Sequence, residues 1–252
     1  MTIVMDVNEA RKGRVPIDVK DYTNKTREAD SYYATLYMGA PPDTAGDSMS
    51  GVEADKALPQ AYFVEQPAHA TVPAHFHDTN QFQVFTAGAT NFGKKHVRPL
   101  TVHYAGGHTP YGPIVTEDEG VHFFTLRQKW DSGGKPMPEM RDKLKPVRRC
   151  HRIADDILAA AVEGQRCDVV PFEEDGLGVS VFAVAAGTSQ TLDLPVAGGG
   201  QYILVSAGSM TYESNELAVD SCLYRFPDDE PVSMTAGADG ARVLVMQFPA
   251  LN

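Results

Sequence analysis

The strongest constraint on this chain is its rhythm. Short stretches of aromatic and β-branched residues alternate with turn residues, at spacings of about 8–12 residues. "QAYFVEQ" (60–66), "NQFQVFTAG" (80–88), "RPLTVHYAG" (98–106) and "GVHFFTLRQ" (120–128) are bounded by Gly, Pro, Asp or Asn. The style returns later in "GVSVFAVAAG", "QTLDLPVAGGG", "QYILVSAGSMTYES", "LAVDSCLYRFP" and "ARVLVMQFPAL", separated by "AGGG", "ESNE", "PDDEP" and "AGADG". This pattern predicts an all-β protein, an antiparallel sandwich or barrel rather than βαβ units.

Between the two β-rich parts, residues 133–165 hold most of the helix-like character. They also hold a basic cluster of Lys135, Arg141, Lys143, Lys145, Arg148, Arg149 and Arg152. Such a cluster reads as a solvated face paired with acidic neighbours. Residues 40–59 read as a polar loop. The expected organisation is an N-terminal extension with that loop (1–59), a first β domain (60–132), a basic linker with short helical segments (133–167) and a second β domain (168–252).

The bulk numbers narrow the function. A chain of 252 residues with 42% hydrophobic and 22% charged residues can bury a proper core. Its formal charge of −11 argues against nucleic acid and anionic membranes as partners, because both select a positive footprint. No apolar run is long enough to span a bilayer, and the first residues lack a secretory signal pattern. Cys150, Cys167 and Cys222 are odd in number and lack C-x-x-C spacing, which points to separate reduced thiols in a cytoplasmic protein.

Seven of the eight histidines, His69, His75, His77, His96, His103, His108 and His122, fall in the first β domain, and the second has none. Any metal chemistry therefore belongs to the first. In an extended segment residues two apart face the same way, so His75 and His77 can turn both imidazoles into one cavity. The bend "DTN" then opens a new strand at Gln81, placing that side chain to fold back towards the rings. Gln83 follows on the same face, which suggests a polar, wet interior. Two imidazoles suit Zn, Fe, Ni, Cu or Mn, whereas the plainer alternative is a metal-free pocket of hydrogen-bonded side chains. "GDSMSG" is not a nucleophile elbow, and "AGGGQ" and "GADGAR" read as hairpin turns rather than phosphate loops.

From His75 to Gly88, "HFHDTNQFQVFTAG" resembles the first motif of the cupin superfamily. That motif is H-x-H, three residues, an acidic residue, six residues, then Gly. Gln81 stands where the family has Glu, and His69 where the extended motif begins with Gly. The second cupin motif, P-x-G-x-x-H, is met in part by "GGHTPYGPIV": Pro110 and Gly112 fit P-x-G with Val115 at the histidine position, whereas sliding the alignment puts Tyr111 in the histidine's place, with His108 three residues earlier. The chain looks like a bicupin, two antiparallel jelly-roll β-barrels in tandem, with a degenerate, histidine-free second repeat.

The resemblance implies a divalent metal inside the first barrel. His75, His77 and Gln81 would be its ligands, with Gln83, His96 and His122 as further ligand or pocket residues. Tyr111 and His108 would be the proton-moving groups. A neutral amide in place of a carboxylate weakens cation binding by several kcal/mol before screening. The leading expectation is a divalent-metal-dependent enzyme of oxygenase, isomerase or lyase type acting on a small organic substrate; the alternative is a non-catalytic small-molecule-binding or sensing bicupin, with or without metal. The second barrel would then supply packing surface, including for a homodimer.

Overall fold

The computed structural model describes residues 2–17, 32–41, 58–147 and 149–250. Most of the loop expected at 40–59, including "GDSMSG", and Arg148 of the basic cluster lie outside the described residues. The chain divides into two compact units, Gly13–Asp155 and Met1–Lys12 together with Asp156–Asn252.

The first described elements, β1 (Ile3–Met5) and α1 (Val7–Arg11), belong to the second unit. Asp6 caps the helix, its Oδ1 accepting from the Asn8 and Glu9 amides at 2.8 and 3.2 Å. Ser221 ties this segment down, its hydroxyl accepting from the Val7 amide at 3.1 Å.

The first unit is built from β2 (Arg14–Ile17), β3 (Tyr32–Met38), β4 (Gln60–Gln66), β5 (Thr71–Val72), β6 (His75–Phe76), β7 (Gln81–Phe92), β8 (Lys95–Val97), β9 (Thr101–Ala105), β10 (Ile114–Arg127), β11 (Lys135–Pro136) and β12 (His151–Ala154). Its main sheet runs β12-β9-β7-β10-β4-β3-β2, with antiparallel neighbours throughout. β5 also pairs with β10 and β8 with β7, while β6 and β11 pair separately. Period-two alternation gives β10 an inward phase of Val121, Phe123, Thr125 and Arg127. Val64, Phe85, Phe92, Ile114, Val121 and Phe123 pack together as its apolar core.

The second unit adds β13 (Arg166–Val170), β14 (Gly178–Val184), β15 (Ser189–Thr191), β16 (Gln201–Tyr212), β17 (Asn215–Ala218), β18 (Cys222–Arg225) and β19 (Ser233–Gln247). Its order is β1-β18-β16-β19-β14-β13, so β1 takes the outer place that β12 holds in the first unit. The register repeats too. Gln81 faces Arg127 in the first unit and Gln201 faces Gln247 in the second, each 120 positions on (81 to 201, 127 to 247). The pair Gln83–His103 recurs as Ile203–Leu223. The polar pair Gln83–His103 thus becomes apolar in the second unit, whose core holds Ile203, Val205, Leu223, Met234, Val243 and Val245, while Gln201 and Gln247 stay polar.

Three expectations are corrected. The N-terminal extension is not separate: β2 and β3 extend the first sheet, and residues 1–12 belong to the second unit. The basic linker is largely part of the first unit, since β11 pairs with β6 and β12 with β9. Its only described helical piece is one turn of 3₁₀-helix at Arg141–Lys143; prolines at 136, 138 and 146 interrupt any run long enough to offset helix nucleation. Within the cluster, Lys135 pairs with Asp78 at 2.7 Å and Lys143 with Asp142 at 3.4 Å. Finally, "AGADG" does not separate strands, because β19 continues through it with Gly240 at φ +72°. Among the described residues no helix is long and apolar enough to cross a membrane.

Gly88, the last residue of the motif, has φ +70°, and a Cβ there would lie 2.1 Å from the Gly120 carbonyl oxygen. Gly208 repeats the arrangement against Gly240 at 2.0 Å. Both mark irregular steps in the long central strand pair, where only glycine fits. Gly88→Ala is therefore expected to lower stability by more than about 2 kcal/mol, read as a fall in the urea midpoint.

Candidate functional site

A partly open pocket with about 120 Å³ of room for water-sized molecules enters the first unit. His75, His77, Gln81, Gln83, Tyr111 and Arg127 line it, with Tyr32, Tyr62, Gln66 and the apolar Val64, Val72, Ile114 and Phe123. His75 reaches it from β6, and His77 from the bend leading to β7. Gln81 and Arg127 stand opposite each other on β7 and β10. Tyr111 comes from the loop before β10 and is bridged to His75 through both backbone groups at 3.0 Å.

The polarity of the site follows from its hydrogen bonds. His75 Nδ1 donates to the Pro73 carbonyl at 2.7 Å, which leaves Nε2 as an acceptor for the Tyr111 hydroxyl at 3.0 Å. The Tyr111 oxygen in turn accepts from Gln81 Nε2. Gln81 Oε1 accepts from Arg127 Nε and Nη2 at 3.1 and 2.8 Å. An amide can donate at one end and accept at the other; a glutamate here would lose the bond to Tyr111. This explains why glutamine suits position 81.

Arg127 is fully buried and also donates to Gln60 Oε1 at 2.6 Å. Its Nη2 lies against the His77 ring, 3.1 Å from Nδ1 and 3.3 Å from Nε2. On that ring Nδ1 donates to Asp131 Oδ1 at 2.8 Å. Asp131 accepts further bonds from the Asp78, Thr79 and Gly133 amides at 3.0, 3.2 and 2.9 Å, and from the Thr79 hydroxyl at 3.1 Å. The buried cation and anion thus flank one imidazole, and the carboxylate also clamps the bend that follows it.

Burial, His77 and Arg127 together push the His75 imidazole down to about 3. Burial and then the Arg127 charge push His77 down to about 4, despite Asp131. For Asp131, burial alone would raise the carboxyl, but His77 and Arg127 hold it well below the usual carboxylate range. Burial raises the Tyr111 phenol far above its ordinary value. The imidazoles are neutral and the phenol protonated at any ordinary pH.

The expected site is thus partly assembled. His75, His77, Gln81 and Tyr111 converge, and Gln83 lines the cavity while accepting from His103 Nδ1 at 2.8 Å. His96 is exposed and faces Glu117 at 3.0 Å. His122 lies on the opposite phase of β10, beside Phe63. His108 is buried outside the cavity lining, near Asp78 and the Lys145 amide, so it does not join Tyr111. Arg127 and Asp131 are additions. The signal for Arg127 was available, since an arginine in the inward phase of an alternating strand has to find buried partners.

These residues do not fit a divalent ion as arranged. The acceptors that would face it already meet the Tyr111 hydroxyl and the Arg127 guanidinium, and a second positive charge would sit beside the first. Among the described residues no group of three or more His, Cys, Asp or Glu is placed to hold a metal.

No protein-family model matches the sequence, and no curated protein matches it. Solved structures do. A proposed dioxygenase of Nostoc punctiforme superposes with a TM-score of 0.62 at 11% identity, over 100% of this chain and 84% of that one. The pirin YhhW of Escherichia coli, solved with nickel(II), gives 0.58 at 10% identity over 100% of both chains. Quercetin 2,3-dioxygenase of Acinetobacter baumannii gives 0.52 at 15% identity, over 96% of this chain and 80% of that one. These are cupin proteins, and at such identities they establish the fold: this is a cupin-fold protein, an antiparallel jelly roll. Its particular form is two units of matching strand order, with the histidines of the motif in the first alone.

Two outcomes follow from the buried groups. In the unfolded chain His75 and His77 titrate near 6.5, and in the folded chain near 3 and 4. Their contribution to stability is fully present above pH 6.5 and is lost as pH falls through the folded values towards 3, so the melting temperature should decline across that window. His103→Leu, the residue found at the matching position of the second unit, should flatten this decline, because His103 is also held neutral by burial. Asp131→Asn, which leaves Arg127 without its counter-charge, should destabilise by roughly 3 kcal/mol in chemical denaturation.

Proposed function

We propose that this protein binds a small organic molecule in the cavity of its first unit without a metal ion, Arg127 supplying the fixed positive charge. The observation that carries this reading is the guanidinium bonded to Gln81 and pressed on His77, on the very atoms a cation would use. The proton chemistry supports binding over turnover. An imidazole pushed down to about 3 is a feeble base near neutrality, and a phenol raised by burial is a feeble acid. The same reading includes a cytoplasmic setting, in keeping with Cys150, Cys167 and Cys222, which form no disulfide among the described residues, and self-association as a homodimer, which scattering tests.

A second reading, a metal-dependent cupin enzyme acting on a small organic substrate, is favoured by one observation. Two imidazoles of an H-x-H pair share a cavity wall, in a fold whose Escherichia coli pirin YhhW was solved with nickel(II). Metal analysis after incubation with nickel, zinc, manganese or ferrous ion separates the two. The wild type should retain well under one equivalent of each. The double variant Gln81→Glu/Arg127→Gln, which adds a carboxylate and removes the cation, should retain more. One full equivalent in the wild type, lost in both His75→Ala and His77→Ala, would establish the enzyme reading instead.

A further inference from the structure

The second unit has a pocket of its own beside the Gln201–Gln247 pair. It offers about 160 Å³ of room for water-sized molecules, and its wall includes Asp193, Val196, Gly200, Gln201, Arg225 and Gln247. Strand register explains the arginine. Gln201 faces Gln247 on β19 and Arg225 on β18, so the three side chains share one face of the sheet. In the first unit Gln81 faces Arg127 and Ala105. At this layer the second unit therefore carries its guanidinium on the other neighbouring strand, at the counterpart of Ala105 (105 to 225). There it is half-buried, whereas Arg127 is sealed.

The charge on Arg225 is held in place but not paired. Two of its five N–H donors go to backbone carbonyls, Nε to Glu230 at 2.8 Å and Nη2 to Asp229. These neutral acceptors fix the group and leave its charge as it is. The Asp229 carboxylate turns to the Phe226 amide, accepting at 3.3 Å. Asp193 lines the same pocket and is exposed. Among the described residues neither Arg225 nor Asp193 takes part in an ion pair, with each other or with a third group. One pocket thus has a cation and an anion in its wall that do not meet. Asp193 opposes a simple anion there and Arg225 a simple cation; a molecule bearing both signs can satisfy both. The two glutamines beside them are fixed. Gln201 Nε2 donates to Gln247 Oε1 at 2.8 Å, and Gln247 Nε2 to the Gly176 and Val196 carbonyls at 2.6 and 2.7 Å.

We propose that this pocket binds a small amino carboxylate, its carboxylate accepting from Arg225 and its ammonium group donating to Asp193. The site is separate from the histidine-lined cavity of the first unit, and its failure would leave the reading of that cavity untouched. Calorimetric titration of the full chain at low ionic strength with glycine, γ-aminobutyrate, butyrate and butylamine tests it. Glycine and γ-aminobutyrate hold the two charges at shorter and longer separations, and the other two carry one charge each. At least one amino carboxylate should bind about tenfold more tightly than butyrate and butylamine, the effect of one added charge-assisted hydrogen bond. Asp193→Asn, at an exposed position with no hydrogen bond to lose, should abolish that preference without moving the urea midpoint. Arg225→Gln should abolish it too, and Arg225→Lys, which keeps the sign of the charge, should restore part of it. Amino carboxylates binding no more tightly than the singly charged pair would overturn the inference. So would a preference that survives either Asp193→Asn or Arg225→Gln, or binding of none of the four.

Discussion

A guanidinium sealed inside a β-sheet protein is the constraint around which this site is arranged. Taking such a charge from water is expensive, and only a nearby counter-charge and well-placed acceptors make it tolerable. Arg127 finds both within its own neighbourhood: Asp131 lies four residues later, and Gln81 and Gln60 supply amide oxygens. His77 sits between the two charges and so is fixed in orientation and protonation. Once that ring is set, Gln81, Tyr111 and His75 follow in a hydrogen-bonded chain. The site is a polar lining held by its own hydrogen bonds, and such networks specify a unique interior when their members are satisfied.

The internal repeat shows what the lining adds. The second unit has the same strand order and the same glycine approach at Gly208 and Gly240, yet Ile203 and Leu223 stand where the first unit has Gln83 and His103. At the position of Arg127 it carries Gln247, which pairs with Gln201 at 2.8 Å. One fold therefore supports a largely apolar core at these positions in one case and a cavity lined by histidines and an arginine in the other. The difference lies in a few inward positions, which is why the fold alone does not decide the chemistry.

Much of this was legible in the chain itself. Alternation marked the strands, and "QAYFVEQ" coincides with β4 residue for residue. The spacing from His75 to Gly88 placed two imidazoles, an amide and a required glycine, because two-residue periodicity and a positive φ are local properties. The lopsided distribution of histidines assigned the site to the first unit. The linker misled, since an alanine-rich, charged composition signals helix only where the run is long enough to nucleate one.

What the tertiary structure alone decided is which distant residues share the interior. Residues 1–12 join a unit more than 140 residues away in sequence, beyond Asp155, because an outer strand position there accepts β1 as β12 fills its counterpart. Arg127 meets Gln81 across 46 positions, and Asp131 meets His77 across 54. Strand register brings these side chains together, and register depends on pairing the whole sheet. Local sequence therefore determined where imidazoles would point; only the completed sheet determined that the Arg127 guanidinium would meet the His77 ring.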